Sequence, residues 1–294
     1  MTAPAPSLVD ALEIGVPVVA VELRPPRAQL SATAGIDAWI DTYHAVRRLT
    51  RQGRFVFLTD SAVGSDEEDN LRHLVTNLGQ DAPRSRVVPF LTSKHSLDYC
   101  LAYADRAHQH GFPAIVVLGG DRTVGPARCV EHAWQLRVAI RERQPALRLG
   151  GWANPHADPA RQVGHLLDAR RTAEFYLTQI VSHHDRRAVE AFLGEARRRG
   201  LTLPGLFGVF FYRSASPKTL SALEEFLPVP SRGLMEEFGR GDTAEEICAR
   251  TIRALREAGV RHFYVSNLPL ARAQAVLSDI LRRAGLEDTA QVLR

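Results

Sequence analysis

Short apolar runs of strand length alternate with longer amphipathic segments along most of this 294-residue chain. The segments between the runs carry apolar residues at helical spacing, as Ile36, Trp39 and Tyr43 illustrate. The predicted strands are Val18–Leu23, Arg54–Thr59, Arg86–Thr92, Ala114–Asp121, Arg148–Ala153, Phe175–Val181, Leu203–Phe210 and His262–Asn267. Because parallel strands need a crossover helix between them, this alternation predicts an α/β fold, a single-domain (β/α)8 (TIM) barrel.

The chain offers no second set of elements that would build another domain. The predicted helices are Gly35–Gln52, Asp98–His110, Pro126–Arg143, Asp158–Ala173, Arg187–Arg199, Pro217–Leu227, Thr243–Ala258 and Ala271–Ala284. We assign residues 1–15 to an N-terminal tail and residues 16–294 to the barrel, with Pro228–Asp242 as a loop over the barrel mouth or an interface element. The alternative fold is an open doubly wound sheet, which usually has a Gly-rich turn after its first strand, where this chain has Arg24-Pro-Pro26.

The composition is that of an ordinary globular protein, with 45% hydrophobic and 24% charged residues. The N-terminus lacks the shape of a signal peptide, and no apolar run approaches the length of about 18 residues that a membrane helix needs. We therefore expect a cytoplasmic protein with no membrane partner. A net charge of +4 without a basic stripe and interleaved aromatics argues against a nucleic-acid partner, while a homo-oligomer stays open.

Neither the cysteines nor the histidines predict a metal site. Cys100, Cys129 and Cys248 are far apart and form no CxxC pair, which argues against a disulfide framework or a zinc site. His183 and His184 are adjacent, and adjacent side chains on an extended chain point to opposite faces. We therefore expect them to chelate one ion poorly, and we expect no metal.

Polar residues end or follow most of the predicted strands, and that is where a barrel carries its active site. They include Thr59, Asp121, Trp152, His156 and Gln179. Glu22 ends the first apolar run, and a carboxylate partly removed from water has a raised pKa that would suit a general acid near neutral pH. The alternative for Glu22 is a structural salt bridge with a nearby Arg. We expect Gly119 and Gly120 to let a flat ligand approach the backbone closely.

Six stretches match one ordered set of motifs. Val21-Glu-Leu-Arg-Pro-Pro26 resembles F-E-F-x-P-P, Pro89-Phe-Leu-Thr92 resembles P-H-L-T, and Leu118-Gly-Gly-Asp121 resembles L-R-G-D. Trp152-Ala-Asn-Pro-His156 resembles Y-P-E-x-H, Leu177-Thr-Gln179 resembles I-T-Q, and Gly259-Val-Arg-His-Phe263 resembles G-V-x-x-F. Together, and in this order along the chain, they resemble the methylenetetrahydrofolate reductase family.

The resemblance implies an oxidoreductase of one-carbon metabolism, a barrel flavoprotein with FAD across its carboxyl-terminal rim. Such an enzyme takes a hydride from NAD(P)H and reduces the folate substrate 5,10-methylenetetrahydrofolate to 5-methyltetrahydrofolate. By resemblance, Glu22 is the acid that helps open the methylene bridge, Asp121 is a catalytic residue beside flavin and pterin, and Gln179 binds the substrate. The cofactor contacts that the resemblance implies are Thr59, Gly119, Gly120, Asp121, Trp152 and His156.

The chain departs from the family pattern mainly at the cofactor contacts. The family His of P-H-L-T is Phe90, and the Arg of R-G-D is Gly119. The Lys expected near Asp168 is absent, with Arg170 or Arg171 as its alternatives. Either FAD is held by altered contacts, or the hydride passes directly from NAD(P)H to the folate, and we expect flavin to be substoichiometric or absent. Two other functions stay open, a pterin- or nucleotide-binding barrel without reductase activity and a barrel lyase or transferase acting on another substrate.

Overall fold

Eight parallel strands close into one barrel in the computed structural model, which describes residues 6–26, 30–60, 70–78, 82–123, 125–168, 170 and 172–287. The strands are β1 (Val19–Leu23), β2 (Val56–Leu58), β3 (Val87–Thr92), β4 (Ala114–Leu118), β5 (Arg148–Ala153), β6 (Phe175–Ile180), β7 (Gly205–Phe210) and β8 (His262–Ser266). Each strand pairs with the next along the chain, and β8 pairs with β1. The prediction of a (β/α)8 barrel is confirmed.

Helices surround the strands or pack over the ends of the barrel. They are α1 (Leu8–Glu13), α2 (Ala32–Arg51), α3 (Asn70–Asn77), α4 (Leu97–Gln109), α5 (Ala133–Arg143), α6 (Pro159–Leu167), α7 (Arg186–Arg198), α8 (Pro217–Glu224), α9 (Ser231–Gly239), α10 (Ala244–Glu257) and α11 (Ala273–Ala284). Short 3-10 turns lie at Arg84–Arg86, His183–Asp185 and Leu270–Arg272. None of the described helices is both long and apolar enough to cross a membrane.

The strands are buried on both faces, because residues that face the barrel interior alternate with residues that face the helices. Phe57, Phe175 and Leu177 belong to the interior cluster, whereas their neighbours along the strands pack under the helices. Gly208 of β7 makes room for the ring of Tyr264, since a Cβ at Gly208 would lie 2.5 Å from that ring. The described part of the barrel interior is therefore filled by large side chains.

Helix α1 belongs to the packed fold. Leu8 and Leu12 are 0% and 4% exposed and lie in the same buried cluster as Phe55, which immediately precedes β2. The prediction of a tail over residues 1–15 is therefore wrong for residues 8–13, which cover the amino end of the barrel interior. Six residues are too few to show a helical repeat in the sequence, so the pattern that identifies longer helices is missing there.

Helix α9 lies within the stretch Pro228–Asp242, for which the sequence predicts a loop over the barrel mouth or an interface element. Leu234 is 1% exposed, and Phe238 packs one turn later against the same interior cluster. Glu237 is also buried, so a carboxylate interrupts the apolar repeat on the inner face of the helix. The loop prediction is wrong for α9, because that interruption and the surrounding prolines and glycines hide the helix in the sequence.

Candidate functional site

The carboxyl ends of the strands form a mouth in which the interior-facing positions change from apolar to polar. In β1 the interior residues are Ala20 and then Glu22, while Val21 faces the helices. In β8 the matching pair is Tyr264 and then Ser266, and the strand register places Ser266 beside Glu22. The fold therefore directs the Glu22 carboxyl toward the carboxyl-terminal mouth of the barrel.

The Glu22 carboxyl is held by a neutral partner. Ser266 Oγ donates a hydrogen bond of 2.6 Å to Glu22 Oε1. Burial raises the pKa of Glu22 from its ordinary value, while the bond from Ser266 and the charge of Arg24 lower it in part. A carboxyl whose pKa is raised in this way keeps a proton to higher pH, which is what a general acid needs.

Aromatic rings of the barrel interior lie beside Glu22, whose register partner on β2 is Phe57. The ring centroids of Phe57 and Phe90 are 5.7 Å apart, and Tyr264 meets Phe57 edge to face at 6.0 Å. Tyr264 Oη donates a 2.6 Å hydrogen bond to the carbonyl of Thr178, so the ring is fixed across the barrel. The mouth thus has apolar rings below and polar groups around its edge, as small-molecule sites commonly do.

Asp121 lies on the loop after β4, at the same end of the barrel as Glu22. The strand ends at Leu118, so Gly119, Gly120 and Asp121 form the turn that leaves it rather than its last residues. Asp121 Oδ1 accepts hydrogen bonds from Thr123, at 2.7 Å from the backbone nitrogen and 2.8 Å from the hydroxyl. These bonds hold the carboxylate against its own loop at the rim.

Arg128 is a rim residue that the sequence analysis missed. A Cβ on Gly119 would lie 2.8 Å from the Arg128 guanidinium carbon, and Arg128 Nη2 donates to the carbonyl of Gly120. The guanidinium therefore occupies the space where a side chain at position 119 would begin. Ser93 Oγ also donates a 2.9 Å hydrogen bond to the carbonyl of Gly119, which fastens this loop to the end of β3. Nothing in the sequence points to this contact beyond the glycines at positions 119 and 120.

Gln179 lies in an irregular part of β6. The register between β6 and β7 shifts between Leu177 and Ile180, which is the signature of a bulge. Gln179 Oε1 accepts a 2.9 Å hydrogen bond from the backbone nitrogen of Ile180, and the residue is half-buried. Its amide nitrogen makes no hydrogen bond within the described part of the chain, so Gln179 offers a donor at the rim.

Trp152 lies on the interior side of β5 near the mouth. A Cβ on Gly150, two residues earlier, would touch Phe175 and Val116 of the interior, so Trp152 shares that side by strand alternation. Its side chain is 37% exposed, whereas that of Trp39 is 7% exposed. Trp152 therefore presents an aromatic surface at the mouth on which a flat ring can stack.

His156 and Thr59 also lie at the rim, beyond β5 and β2. His156 Nε2 donates a 2.8 Å hydrogen bond to the carbonyl of Ile180, which ties the loop after β5 to the end of β6. The backbone nitrogen of Thr59 donates a 3.0 Å hydrogen bond to the carbonyl of Leu23 and extends the barrel pairing. His156 therefore has one ring nitrogen engaged by the protein itself.

A third carboxylate at the rim, Asp60, accepts three hydrogen bonds. Asp60 Oδ2 accepts hydrogen bonds from the Thr92 backbone nitrogen at 2.7 Å, from Thr92 Oγ1 at 2.9 Å and from His95 Nε2 at 2.8 Å. This network joins the ends of β2 and β3. The role of His95 could not be predicted from the sequence, because its partners are brought together only when the strands pair.

The structure shows what occupies the positions at which the chain departs from the family's flavin contacts. Phe90 is 3% exposed and belongs to the interior, and the place of a side chain at Gly119 is taken by Arg128. Arg170, one alternative for the missing Lys, pairs with Asp168 at 2.6 Å and stacks on Trp134. The other alternative, Arg171, lies outside the described residues.

His183 and His184 are not on an extended chain, so the reason for expecting no chelation is wrong. They lie on a 3-10 turn after β6, and their ring centroids are 4.0 Å apart. Both rings hydrogen-bond to the carboxylate of Glu237 in α9. The turn brings the two imidazoles to the same side, where a third potential ligand meets them.

Comparisons with known proteins agree with the barrel. No family model matches the chain, and no curated protein matches it. Among solved structures, an uncharacterized protein from Clostridium thermocellum, which binds two copies of 5-methyl-5,6,7,8-tetrahydrofolic acid, is similar with a TM-score of 0.66 and 15% identity over 96% of this chain and 98% of that one. A putative dihydrodipicolinate synthetase from Pseudomonas aeruginosa has a TM-score of 0.47 and 12% identity over 95% of this chain and 83% of that one. At 15% identity, the similarity to the Clostridium thermocellum protein shows a shared fold.

Proposed function

We propose that the chain binds a reduced folate in the barrel mouth and reduces 5,10-methylenetetrahydrofolate to 5-methyltetrahydrofolate with NAD(P)H. The observation that carries this proposal is the position of the Glu22 carboxyl. It is directed into the mouth beside the aromatic rings of the interior, and its pKa is raised. The ordered motifs support the substrate class. The structural neighbour that binds 5-methyltetrahydrofolate supports it as well, because it presents that ligand on a barrel of the same fold.

In this mechanism Glu22 is the proton donor. Its proton goes to an amine nitrogen of the methylene bridge, and the carbon–nitrogen bond breaks with its electron pair left on that nitrogen. The bridge carbon becomes an iminium carbon, to which one hydride must be added to give the methyl group. Bound NAD(P)H supplies that hydride. The Ser266 hydroxyl keeps the carboxyl oriented and stabilises the carboxylate that forms after the proton has left.

Three rim residues suit a pterin ring. The Asp121 carboxylate accepts hydrogen bonds, and a pterin offers an amino group and a ring N–H as donors. Gln179 supplies a donor through its amide nitrogen, which suits the ring carbonyl. Trp152 presents an aromatic surface against which the flat ring can pack.

We infer further that flavin is not required, so that the reductant meets the folate directly. The support is the poor fit at Phe90 and Gly119, together with residues around Glu22 that suit the substrate chemistry. If the folate and the nicotinamide nucleotide bind in the same mouth, the hydride can pass from one to the other without a flavin as carrier.

The test uses the purified full-length chain, with NADH and NADPH tried separately. The expected result is oxidation of the nucleotide that depends on 5,10-methylenetetrahydrofolate and yields 5-methyltetrahydrofolate by mass spectrometry. Saturable folate binding by calorimetry without turnover would instead identify a pterin-binding barrel. Absence of folate binding would contradict the proposed substrate class and favour a lyase or transferase acting on another compound.

A further inference from the structure

A cluster of two histidines and one glutamate lies outside the mouth described above. His183 Nε2 is 2.9 Å from Glu237 Oε1, and His184 Nε2 is 3.2 Å from Glu237 Oε2. One ligand atom from each of the three residues lies within 4.8 Å of the others. The cluster joins the turn after β6 to helix α9, so it links the carboxyl end of a barrel strand to the helix that covers the interior beside it.

The backbone around the cluster is shaped to hold the rings in this position. A Cβ on Gly233 of α9 would lie 2.3 Å from the Cε1 atom of His184, so only glycine lets that ring lie against the helix. On the other ring, His183 Nδ1 is 2.8 Å from Thr251 Oγ1 of α10. A hydrogen bond at Nδ1 fixes the orientation of an imidazole and turns its Nε2 toward a ligand, as the outer partners of metal-bound histidines do.

The charge around the cluster also favours a cation. Glu237 is 2% exposed, and Arg250 hydrogen-bonds to its Oε1. Arg250 is shared with a second carboxylate, since its Nη2 lies 2.9 Å from Asp242 Oδ2. Two carboxylates and one guanidinium leave a net negative charge beside two imidazoles. Arg250 would remain on Oε1 and orient the carboxylate, while Oε2 faces His184.

We propose that His183, His184 and Glu237 bind a divalent transition-metal ion of the zinc class. Two imidazole nitrogens and a carboxylate oxygen are a donor set that zinc, cobalt and nickel accept, whereas magnesium and calcium prefer oxygen ligands alone. Ligands about 2.0–2.1 Å from a tetrahedral ion lie about 3.3 Å from one another, close to the two histidine–glutamate distances. The ion would fasten α9 to the end of β6, and its fourth position would be left to water or a ligand. This site is independent of the proposed folate chemistry.

The experiment uses the full-length chain without a histidine tag, after treatment with a chelator. Calorimetric titration with Zn²⁺ measures the stoichiometry and affinity, and Co²⁺ titration followed by visible absorption reports the geometry of the ion. The expected result is one Zn²⁺ per chain, a Co²⁺ spectrum of tetrahedral type, and a melting temperature that rises with Zn²⁺ because the ion binds the folded state.

Two variants and a control locate the site. Thr251→Val removes the partner of His183 and is expected to weaken binding by about 10- to 100-fold, the usual effect of losing an outer partner. His184→Gln removes a ligand from a partly exposed position and is expected to weaken binding further while circular dichroism stays unchanged. His165→Gln, at an exposed histidine of α6, serves as the matched control and should bind as the wild type does.

Two results would overturn the proposal. One is the absence of saturable Zn²⁺ binding by the wild type, which would leave the cluster as a hydrogen-bonded contact between α9 and the turn. The other is equal binding by the wild type and a folded His184→Gln variant, which would place the ion elsewhere in the chain.

Discussion

Glu22 is both a residue of strand β1 and the proposed proton donor. It is the interior-facing residue that follows Ala20 in β1, so the position would be apolar if the core continued upward. A carboxyl there has a raised pKa because of its burial. Its hydrogen-bond partner is the hydroxyl of Ser266 and not an arginine, so the hydrogen bonding does not support the alternative of a structural salt bridge.

We expect Glu22→Gln to keep the fold and ligand binding and to slow folate reduction by about two to four orders of magnitude, the scale of general acid catalysis. Gln still accepts a hydrogen bond from Ser266 but has no proton to give. Steady-state kinetics with matched circular dichroism measure the effect, and Glu13→Gln, at an exposed position on α1, is the control. Turnover near that of the wild type in Glu22→Gln would remove Glu22 from the mechanism.

Glu22 also makes the stability of the fold depend on pH. Its pKa is higher in the folded state than in the unfolded chain, so the folded state binds more protons between the two values. The free energy of unfolding therefore falls as pH rises from the ordinary carboxyl value to the raised one. We expect the stability of Glu22→Gln relative to the wild type to grow over that window and then level off. Urea unfolding at a series of pH values tests this, and a difference independent of pH would contradict it.

Arg128 and Gly119 act as one unit at the rim. A methyl group at position 119 would meet the Arg128 guanidinium, whose long side chain can move away at small cost. We expect Gly119→Ala and Arg128→Ala each to raise the KM for the folate, since both remove the guanidinium from its place near the Asp121 carboxylate that would bind the pterin. The double variant should show much less than the sum of the two effects, because residues in contact are coupled. Additive effects in that cycle would mean that Arg128 does not act through the contact with Gly119.

At the scale of elements, long helices and strands could be predicted from the sequence, whereas short or polar-faced helices could not. A buried strand is a continuous apolar run, and α10 repeats its apolar residues over 14 positions, so both carry a strong signal. Helix α1 has six residues, and α9 has a buried carboxylate on its inner face. Their burial follows from tertiary contacts that exist only once the barrel has closed.

Because α1 is buried against the barrel, we expect it to contribute to the stability of the fold. Leu8→Ala removes a fully buried side chain and should lower the free energy of unfolding by about 2–5 kcal/mol, the usual cost of such a cavity. The matched control is Ile14→Ala at the end of the same helix, where the side chain is 59% exposed and the expected change is within about 0.5 kcal/mol. Urea unfolding measures both variants. Equal and small losses would mean that residues 8–13 behave as a tail in solution.

At the scale of the whole molecule, barrel closure explains which parts of the site the sequence could reveal. Glu22, Asp121 and Gln179 are each tied to the end of a strand, and all such ends meet at one rim, so their common location follows from the strand order. Contacts that depend on loop paths were not predictable in this way. Arg128 reaches back over Gly119 from a loop, and His95 meets Asp60 across two strands.

The affinity of the barrel mouth for FAD depends on charged contacts at the rim. The family His and Arg are replaced by Phe90 and Gly119, with the Arg128 guanidinium beside Gly119, and Arg170, one alternative for the missing Lys, is paired with Asp168 on the surface. Each charged hydrogen bond to a bound anion is worth about 1.5–3 kcal/mol, so the loss of two or three with partial compensation weakens FAD binding by about 10²- to 10⁴-fold. A nanomolar site would become micromolar or weaker.

We therefore expect the purified protein to be colourless or to carry flavin well below one equivalent, and to bind added FAD weakly in a fluorescence titration. Folate reduction by NAD(P)H should proceed without added FAD and should not increase when FAD is supplied. Trp152→Ala should weaken folate binding whether or not FAD is present, because its exposed ring would pack on the pterin rather than on a flavin. A yellow protein with one tightly held flavin per chain would show that other residues have rebuilt the flavin site, and hydride transfer would then run through the flavin.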